Sequence, residues 1–421
     1  MKDPNSPLTP SSGERLSPLA PSGAGVLWLQ VSGLAAVQGA ISLTWVIYRF
    51  YLDKLLLQFG FPAAFAATLL VTENLLAAFM EPLMGGLSDR AKRWVGTRLP
   101  FIIGGVILSS ALFIAIPAIV IFGNPTSVIR WVLPILLIAW AMAMTVFRSP
   151  VISLLGQYAT PPALPQAMSL LTLSGGLIGT FAPVTNKIIL GWGPAVTFAL
   201  GSFVLLGATA VLRFVHPPET PALSLQNPDS SSLPIAHSLV LNLGLIFITG
   251  AGVAWGTSFL MQTLRQVMQG LFGNENINSV MLVLGLALAI AAVPAGAVAF
   301  KVSNGRAMLW GIGLTVGLML LIALIPNLAM AMAAVTAIVG TFSLISNGAV
   351  PYALSAVPPQ QAGLGTGMYF GGFSAAMGLF GVMFPSSNPM APMMGAVLGA
   401  IAFLIAGLCI AASTRKSTAA A

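Results

Sequence analysis

Charge is what this chain has least of. Asp, Glu, Lys and Arg make up 6% of its 421 residues against 57% hydrophobic residues, too little polar surface for a water-soluble fold. The shortage excludes a soluble globular protein and leaves a chain dissolved in lipid. Cysteine is nearly absent as well: Cys409 stands alone inside the last apolar segment, which excludes a disulfide framework and leaves that thiol to packing. Histidine is scarce, and His216 and His237, which flank a polar central stretch, cannot build a metal site with one cysteine. No Walker-type phosphate loop occurs. The sequence therefore offers no ATP-driven machinery, no catalytic residues, no metal site and no cofactor, and it does not read as an enzyme.

Long apolar runs are what it has instead. At about 1.5 Å of rise per residue, roughly twenty apolar residues cross the hydrocarbon layer. That ruler places spans at 26–48, 62–83, 100–122, 131–155, 166–190 and 194–214, and again at 238–261, 277–300, 308–324, 328–348, 362–384 and 390–412. The expected architecture is an all-α, multi-pass membrane protein of about twelve transmembrane helices in two six-helix bundles, residues 26–215 and 238–412. Residues 1–25, rich in Ser and Pro, read as a disordered tail without the order of a signal peptide. Residues 216–237 read as a polar linker and 413–421 as a second tail. An even number of spans puts both tails on one side. The tails and loops on that side carry eleven Lys and Arg against five on the other, so both termini are expected in the cytoplasm, in a plasma or inner membrane. The same bias accounts for the net charge of +8 without nucleic acid as a partner. The partners implied are the bilayer and a small-molecule solute, with the chain acting as a monomer.

The halves echo one another. Asn347 to Pro351, followed by Pro358-Pro359, parallels Arg148 to Pro150, followed by Pro161-Pro162; the next helix in each half carries a glycine pair, Gly175-Gly176 or Gly371-Gly372. Such parallel repeats place a solute site between two pseudo-symmetric halves.

Three ionisable residues fall at membrane depth: Glu73 and Glu81 in the second span and Arg148 in the fourth. Each costs on the order of 2.5–3.5 kcal/mol at a helix centre, so a function and a nearby partner are expected. Eight residues separate the two acids, about 80° around a helix, so they can face one cavity. A Glu–Arg148 pair that only fixes helix packing is the plain alternative, and Glu81 could also lie near the headgroups. Beyond Glu81 runs a segment with Pro82, Gly85, Asp89, Arg90, Arg93 and Arg98. Its glycines permit close helix approach, and its charges can form breakable pairs that hold one access state of a two-state carrier.

This segment resembles the signature between helices two and three of the major facilitator superfamily. The spacing of Glu81, Pro82, Gly85 and Asp89 resembles that of melibiose-permease-like members, and Gly96-Thr97-Arg98-Leu99-Pro100-Phe101-Ile102 resembles the corresponding stretch of sucrose symporters; both belong to the glycoside, pentoside and hexuronide cation symporters. The resemblance implies the major facilitator fold and cation-coupled sugar symport by alternating access, with Glu81 as the coupling carboxylate. This chain has Ala77 where melibiose-type members carry a further acid, and no lysine between Lys301 and Lys416 where they carry one. A sodium site needs several oxygen ligands whereas a proton site needs one carboxyl, so H+ is the expected coupling ion, with Na+ the alternative.

No ionisable residue falls inside a span of the second half, so a neutral polar solute such as a sugar is expected. Gln38, Trp45, Asn74, Gln157, Trp255, Gln262, Asn347, Tyr352 and Tyr369 are the candidates to bind it, by amide hydrogen bonds and ring stacking. Two other readings stay open. Bacteriochlorophyll-delivery relatives of the superfamily share a similar loop, which would make the chain an assembly factor for a pigment-protein complex. A passive facilitator would result if Glu81 merely pairs with Arg148.

Overall fold

The structure, a computed structural model, describes residues 25–123, 129–217, 233–325, 327–384 and 390–419. The expected tail, up to residue 24, and most of the expected linker, 218–232, lie outside them. Twelve long helices follow one another: α1 (Trp28–Gln58), α2 (Ala64–Val95), α3 (Leu99–Phe122), α4 (Val132–Ser153), α5 (Leu164–Gly191), α6 (Gly193–Val215), α7 (Leu233–Phe272), α8 (Ile277–Val302), α9 (Asn304–Ile322), α10 (Leu328–Ser355), α11 (Ala362–Met383) and α12 (Pro392–Ala419). A single extra turn, Leu155–Tyr158, prolongs α4. Eleven of the twelve are long and apolar enough to cross a membrane. The other is α11, whose seven glycines lower its hydropathy and, as shown below, bring it against a neighbouring helix. Prolines inside α2, α3, α4, α5, α8 and α10 do not end them, because neighbouring helices re-satisfy the freed backbone groups.

Several helices outrun the spans expected from hydropathy. α1 continues to Gln58. α2 continues to Val95, so the signature segment is largely helix and the loop shrinks to Gly96–Arg98; Gly96 ends α2 in the left-handed conformation that glycine adopts without strain. α7 runs from Leu233, inside the expected linker, to Phe272, well past the expected end at 261. Hydropathy measures only the apolar part of a helix, whereas these ends persist through packing: Leu260, Leu264 and Met268 form a buried stripe at four-residue spacing. α12 likewise continues through the expected second tail.

The repeat is visible in the helix contacts. In the first half α1 packs on α5 and α6, α4 on α2 and α3, and α3 on α6; adding six to each number describes the second half, where α7 packs on α11 and α12, α10 on α8 and α9, and α9 on α12. The double prolines form matching 3-10 turns, Pro161–Ala163 and Pro359–Gln361. The glycine pairs match too. Gly175 faces Gln38 and Ser42 of α1 and Gly176 faces Ala289 of α8, while Gly371 faces Ala78 and Pro82 of α2 and Gly372 faces Phe247 of α7. Each pair thus turns one glycine to its own half and the other to the opposite half.

Two main contacts join the halves, α2 with α11 and α5 with α8, flanked by smaller ones of α4 with α11 and α5 with α10. The first runs antiparallel along most of both helices. Gly85 meets Gly363, Gly367 meets the Glu81 carbonyl, a Cβ on Gly371 would lie 2.8 Å from the Ala78 carbonyl oxygen, and Gly378 packs on Leu75. Small residues let these backbones touch, as helices in lipid require when no hydrophobic effect drives them together. The face on which α1 begins is called here the near face, and the opposite one the far face.

Two substitutions should move stability in opposite directions. Ser303, in the α8–α9 turn, has φ +92°, a conformation costing a residue other than glycine on the order of 1–3 kcal/mol; Ser303→Gly should raise the melting temperature in detergent. Gly85→Ala places a methyl group against the Gly363 backbone and should lower it, at a cost of about 1–3 kcal/mol.

Candidate functional site

Glu81 lies where α2, α4 and α11 converge, and its side chain is wholly buried. One carboxylate oxygen accepts a hydrogen bond from the Ser149 hydroxyl of α4. The other lies 3.4 Å from the Arg148 guanidinium, which rests 4.2 Å from the ring centre of Phe370 on α11. Thr366 of α11 donates to the Ser149 carbonyl at 3.2 Å. The helical register makes the cluster: Arg148 and Ser149 are consecutive at the end of α4, and Thr366 and Phe370 are one turn apart on α11. A carboxylate from the first half thus sits inside a contact with the second, held by a cation that is itself stacked on a second-half ring.

Two turns along α2, Asp89 makes a second crossing. It pairs with Arg98, and both are buried. Its carboxylate also accepts from the backbone N–H of Gly363 at 3.0 Å and of Leu364 at 2.8 Å, two of the unsatisfied donors of the first turn of α11. An acid there meets the positive end of the helix dipole. Gly85 completes this contact. Arg90 and Arg93 are exposed, and neither forms an ion pair among the described residues, so the charged contact between the halves consists of Asp89 and Arg98.

Glu73 does not share a cavity with Glu81, contrary to the expectation from their spacing. It accepts a hydrogen bond from Tyr48 of α1, and its other oxygen has no partner among the described residues. Tyr48 is packed on Trp45 and Trp140, with ring centres 5.6 and 4.6 Å away. The 80° offset around α2 turns Glu73 toward α1 and Glu81 toward α4 and α11.

A cavity between the halves lies elsewhere. It has a volume of about 340 Å³ and is bounded by α5, α7, α8 and α10, with Thr172, Thr180, Arg265, Asn278, Ser343 and Ser346 as its principal polar lining. The lining residues of α7 and α8 belong to the far-face halves of those helices and those of α5 run from Thr172 to Pro183, so the cavity spans mid-depth and the far side. Below it the halves are shut: a Cβ on Gly296 of α8 would lie 2.9 Å from the Pro165 carbonyl oxygen of α5.

None of the nine solute-binding candidates lines this cavity. Some of their polar groups bond to backbone, while Gln157 Nε2, Gln262 Oε1, Asn347 Oδ1 and Tyr352 OH are buried without a hydrogen-bond partner among the described residues. Trp255 donates to the Ala376 carbonyl at 2.5 Å, Asn74 donates to the Leu70 carbonyl at 2.8 Å, and Asn347 donates to the Ala292 carbonyl. Trp45 belongs to the aromatic cluster around Tyr48, and Gln38 packs between α1 and Gly175. Gln157 lies on the extra turn after α4. Tyr352 lies near the near-face end of α10, and Tyr369 is buried next to Phe370 and Phe373. Gln262 is adjacent to the lining residue Met261.

The expectation that no ionisable residue lies within the second-half spans is also corrected, because α7 carries Arg265 and the cavity exposes it. The buried stripe of Leu260, Leu264 and Met268 was the signal in the sequence that the helix continues past it.

Comparison with known proteins agrees with this architecture. Residues 34–382 match the Major Facilitator Superfamily. Over 84 residues, 20% of this chain, the sequence is 36% identical to an uncharacterized symporter of Synechocystis sp., and the match spans 15% of that protein's length. The fold is similar to that of the human organic anion transporter MFSD10 (TETRAN), with TM-score 0.63, 14% identity, and coverage of 90% of this chain and 99% of that one. It is also similar to a bacterial homologue of the iron transporter ferroportin in an outward-facing state, with TM-score 0.62, 16% identity, and coverage of 92% and 99%.

If Asp89 holds α11 as described, Asp89→Ala leaves Arg98 buried without a counter-charge and should destabilise the fold by about 3–5 kcal/mol. Asp89→Ala combined with Arg98→Ala should recover part of that loss. A double-mutant cycle from thermal unfolding in detergent measures both.

Proposed function

The chain belongs to the major facilitator superfamily, and from that premise we propose that it is a proton-coupled secondary transporter that carries a small polar solute by rocking its two halves about their shared contacts. It is an integral, multi-pass membrane protein. The observation that carries the reading is Glu81, a fully buried carboxyl at the α2–α4–α11 junction whose partners, Ser149 and Arg148, form the link to α11. Charged, it holds Arg148 by attraction in a low-dielectric site; protonated, it keeps only hydrogen bonds. Loss of that attraction frees Arg148 from its place over Phe370 and loosens α11 from the first half. Asp89 at the first turn of α11 is the second fastening that must release before the near face opens.

The bias of Lys and Arg assigns the near face to the cytoplasm. The cavity then spans mid-depth and the outer side, with the cytoplasmic side shut by the α2–α11 contact and by the lower part of α5 against α8. Hydroxyls and an amide in the cavity lining suit a solute rich in hydrogen-bonding groups, and the resemblance of the signature segment to sugar symporters supports the saccharide class. The close Glu81–Arg148 contact also supports a passive facilitator, in which the pair only fastens α2 to α4.

Uptake of labelled sugars into proteoliposomes with an imposed proton gradient decides between them. The parent should accumulate solute only with the gradient, and Glu81→Gln should equilibrate it without accumulation. Equal, gradient-independent uptake by both would remove the coupling role.

A further inference from the structure

Arg265, which hydropathy leaves in a loop after the seventh span, stands within α7. It lies one turn beyond Met261 on α7 and lines the cavity between the halves. Among the described residues it has no ion-pair partner: the two pairs present are Arg98–Asp89 and Arg148–Glu81. Glu275, the nearest acid along the chain, is exposed in the α7–α8 turn, and no acidic side chain lines the cavity. Lys187, one turn beyond the lining residue Pro183 on α5, adds a second exposed positive charge toward the same end. The walls are otherwise largely apolar, with Met281, Leu288 and Phe342 among them.

A fixed cation in a cleft with apolar walls acts over a longer range than it would in water, attracts anions and repels cations. Arginine adds geometry to charge, because its planar fork matches a carboxylate with two parallel hydrogen bonds. The volume of about 340 Å³ lies at the small end of the range for ligand pockets.

We propose that this cavity binds a small organic monoanion, a carboxylate whose head group is held by Arg265 and whose body lies against Met281, Leu288 and Phe342. The hydroxyls of Ser343 and Ser346 and the amide of Asn278 read any further polar groups. The inference rests on the transporter reading above and replaces its neutral saccharide with an acid as the solute. It has a consequence for the cycle: one carboxylate moved together with one proton transfers no net charge, so transport is insensitive to membrane voltage.

The experiment measures binding to the purified full-length chain by calorimetry, using hexanoate and benzoate against their uncharged counterparts hexanamide and benzamide. The acids should bind the parent at least about tenfold more tightly than the amides. Arg265→Gln should abolish that preference, Arg265→Lys should keep part of it, and Lys54→Gln, an exposed far-face cation outside the cavity, should keep all of it. Arg265 is exposed, so its variants should unfold at the parent's temperature, and the lysine variant keeps the test open if the glutamine variant does not fold. The proposal is overturned if neither acid binds the parent, if the amides bind as tightly as the acids, or if Arg265→Gln retains the preference. Uptake separates it from the coupling reading. Acids that bind through Arg265 but cross independently of a proton gradient would remove the coupling alone, whereas gradient-driven uptake of a neutral sugar with no acid binding would remove the carboxylate site alone.

Discussion

The contact of α2 with α11 is the constraint on which the rest of the structure depends. Glycines on both helices let the backbones touch from Gly85–Gly363 to the packing of Gly378 on Leu75, and α2 brings two carboxylates to that contact. In a medium that cannot hydrate them, Glu81 and Asp89 must find partners within the protein. Glu81 finds Ser149 and Arg148, and Asp89 finds Arg98 and two backbone N–H groups at the start of α11. The low hydropathy of α11 follows from the same requirement, since a helix that must lie backbone to backbone with its neighbour gives up side chains.

The two halves share a fold and divide the work. The first supplies the buried acids and Arg148. The second supplies a glycine-lined partner helix, an aromatic seat for Arg148 in Phe370, and most of the cavity wall, including Arg265. The two interfaces between the halves also differ. α2 and α11 meet backbone to backbone along most of their length, whereas α5 and α8, which touch at Gly296–Pro165, Gly176–Ala289 and Gly285–Thr180, leave the cavity alongside.

Much of this was legible in the sequence. Helix number, the six-plus-six repeat and the signature segment follow from runs of apolar residues, paired prolines and paired glycines, which are local and periodic. The ends of α2 and α7 were not, because hydropathy falls where a helix leaves the hydrocarbon while its packing continues; Arg265 was lost to that error. The partition of Glu73 and Glu81 between different neighbours was also out of reach, since an 80° offset fits both one cavity and two grooves until the neighbouring helices are placed. The placing of the aromatic and amide candidates was out of reach for a related reason. Composition shows that Trp45, Trp255 and Asn347 can bind a solute, and only the packed structure shows that they lie away from the cavity.

The central claim is that protonation of Glu81 releases α11 from the first half. Electron paramagnetic resonance distances between spin labels at Arg93 on α2 and Gln361 before α11, in a Cys409→Ser background and as a function of pH, test it most directly. The account predicts a short distance at high pH, a growing population of longer distances as Glu81 takes up its proton, and a Glu81→Gln variant that shows the longer population at every pH. A distance distribution that ignores pH, or that responds to pH equally in the Glu81→Gln variant, would contradict it.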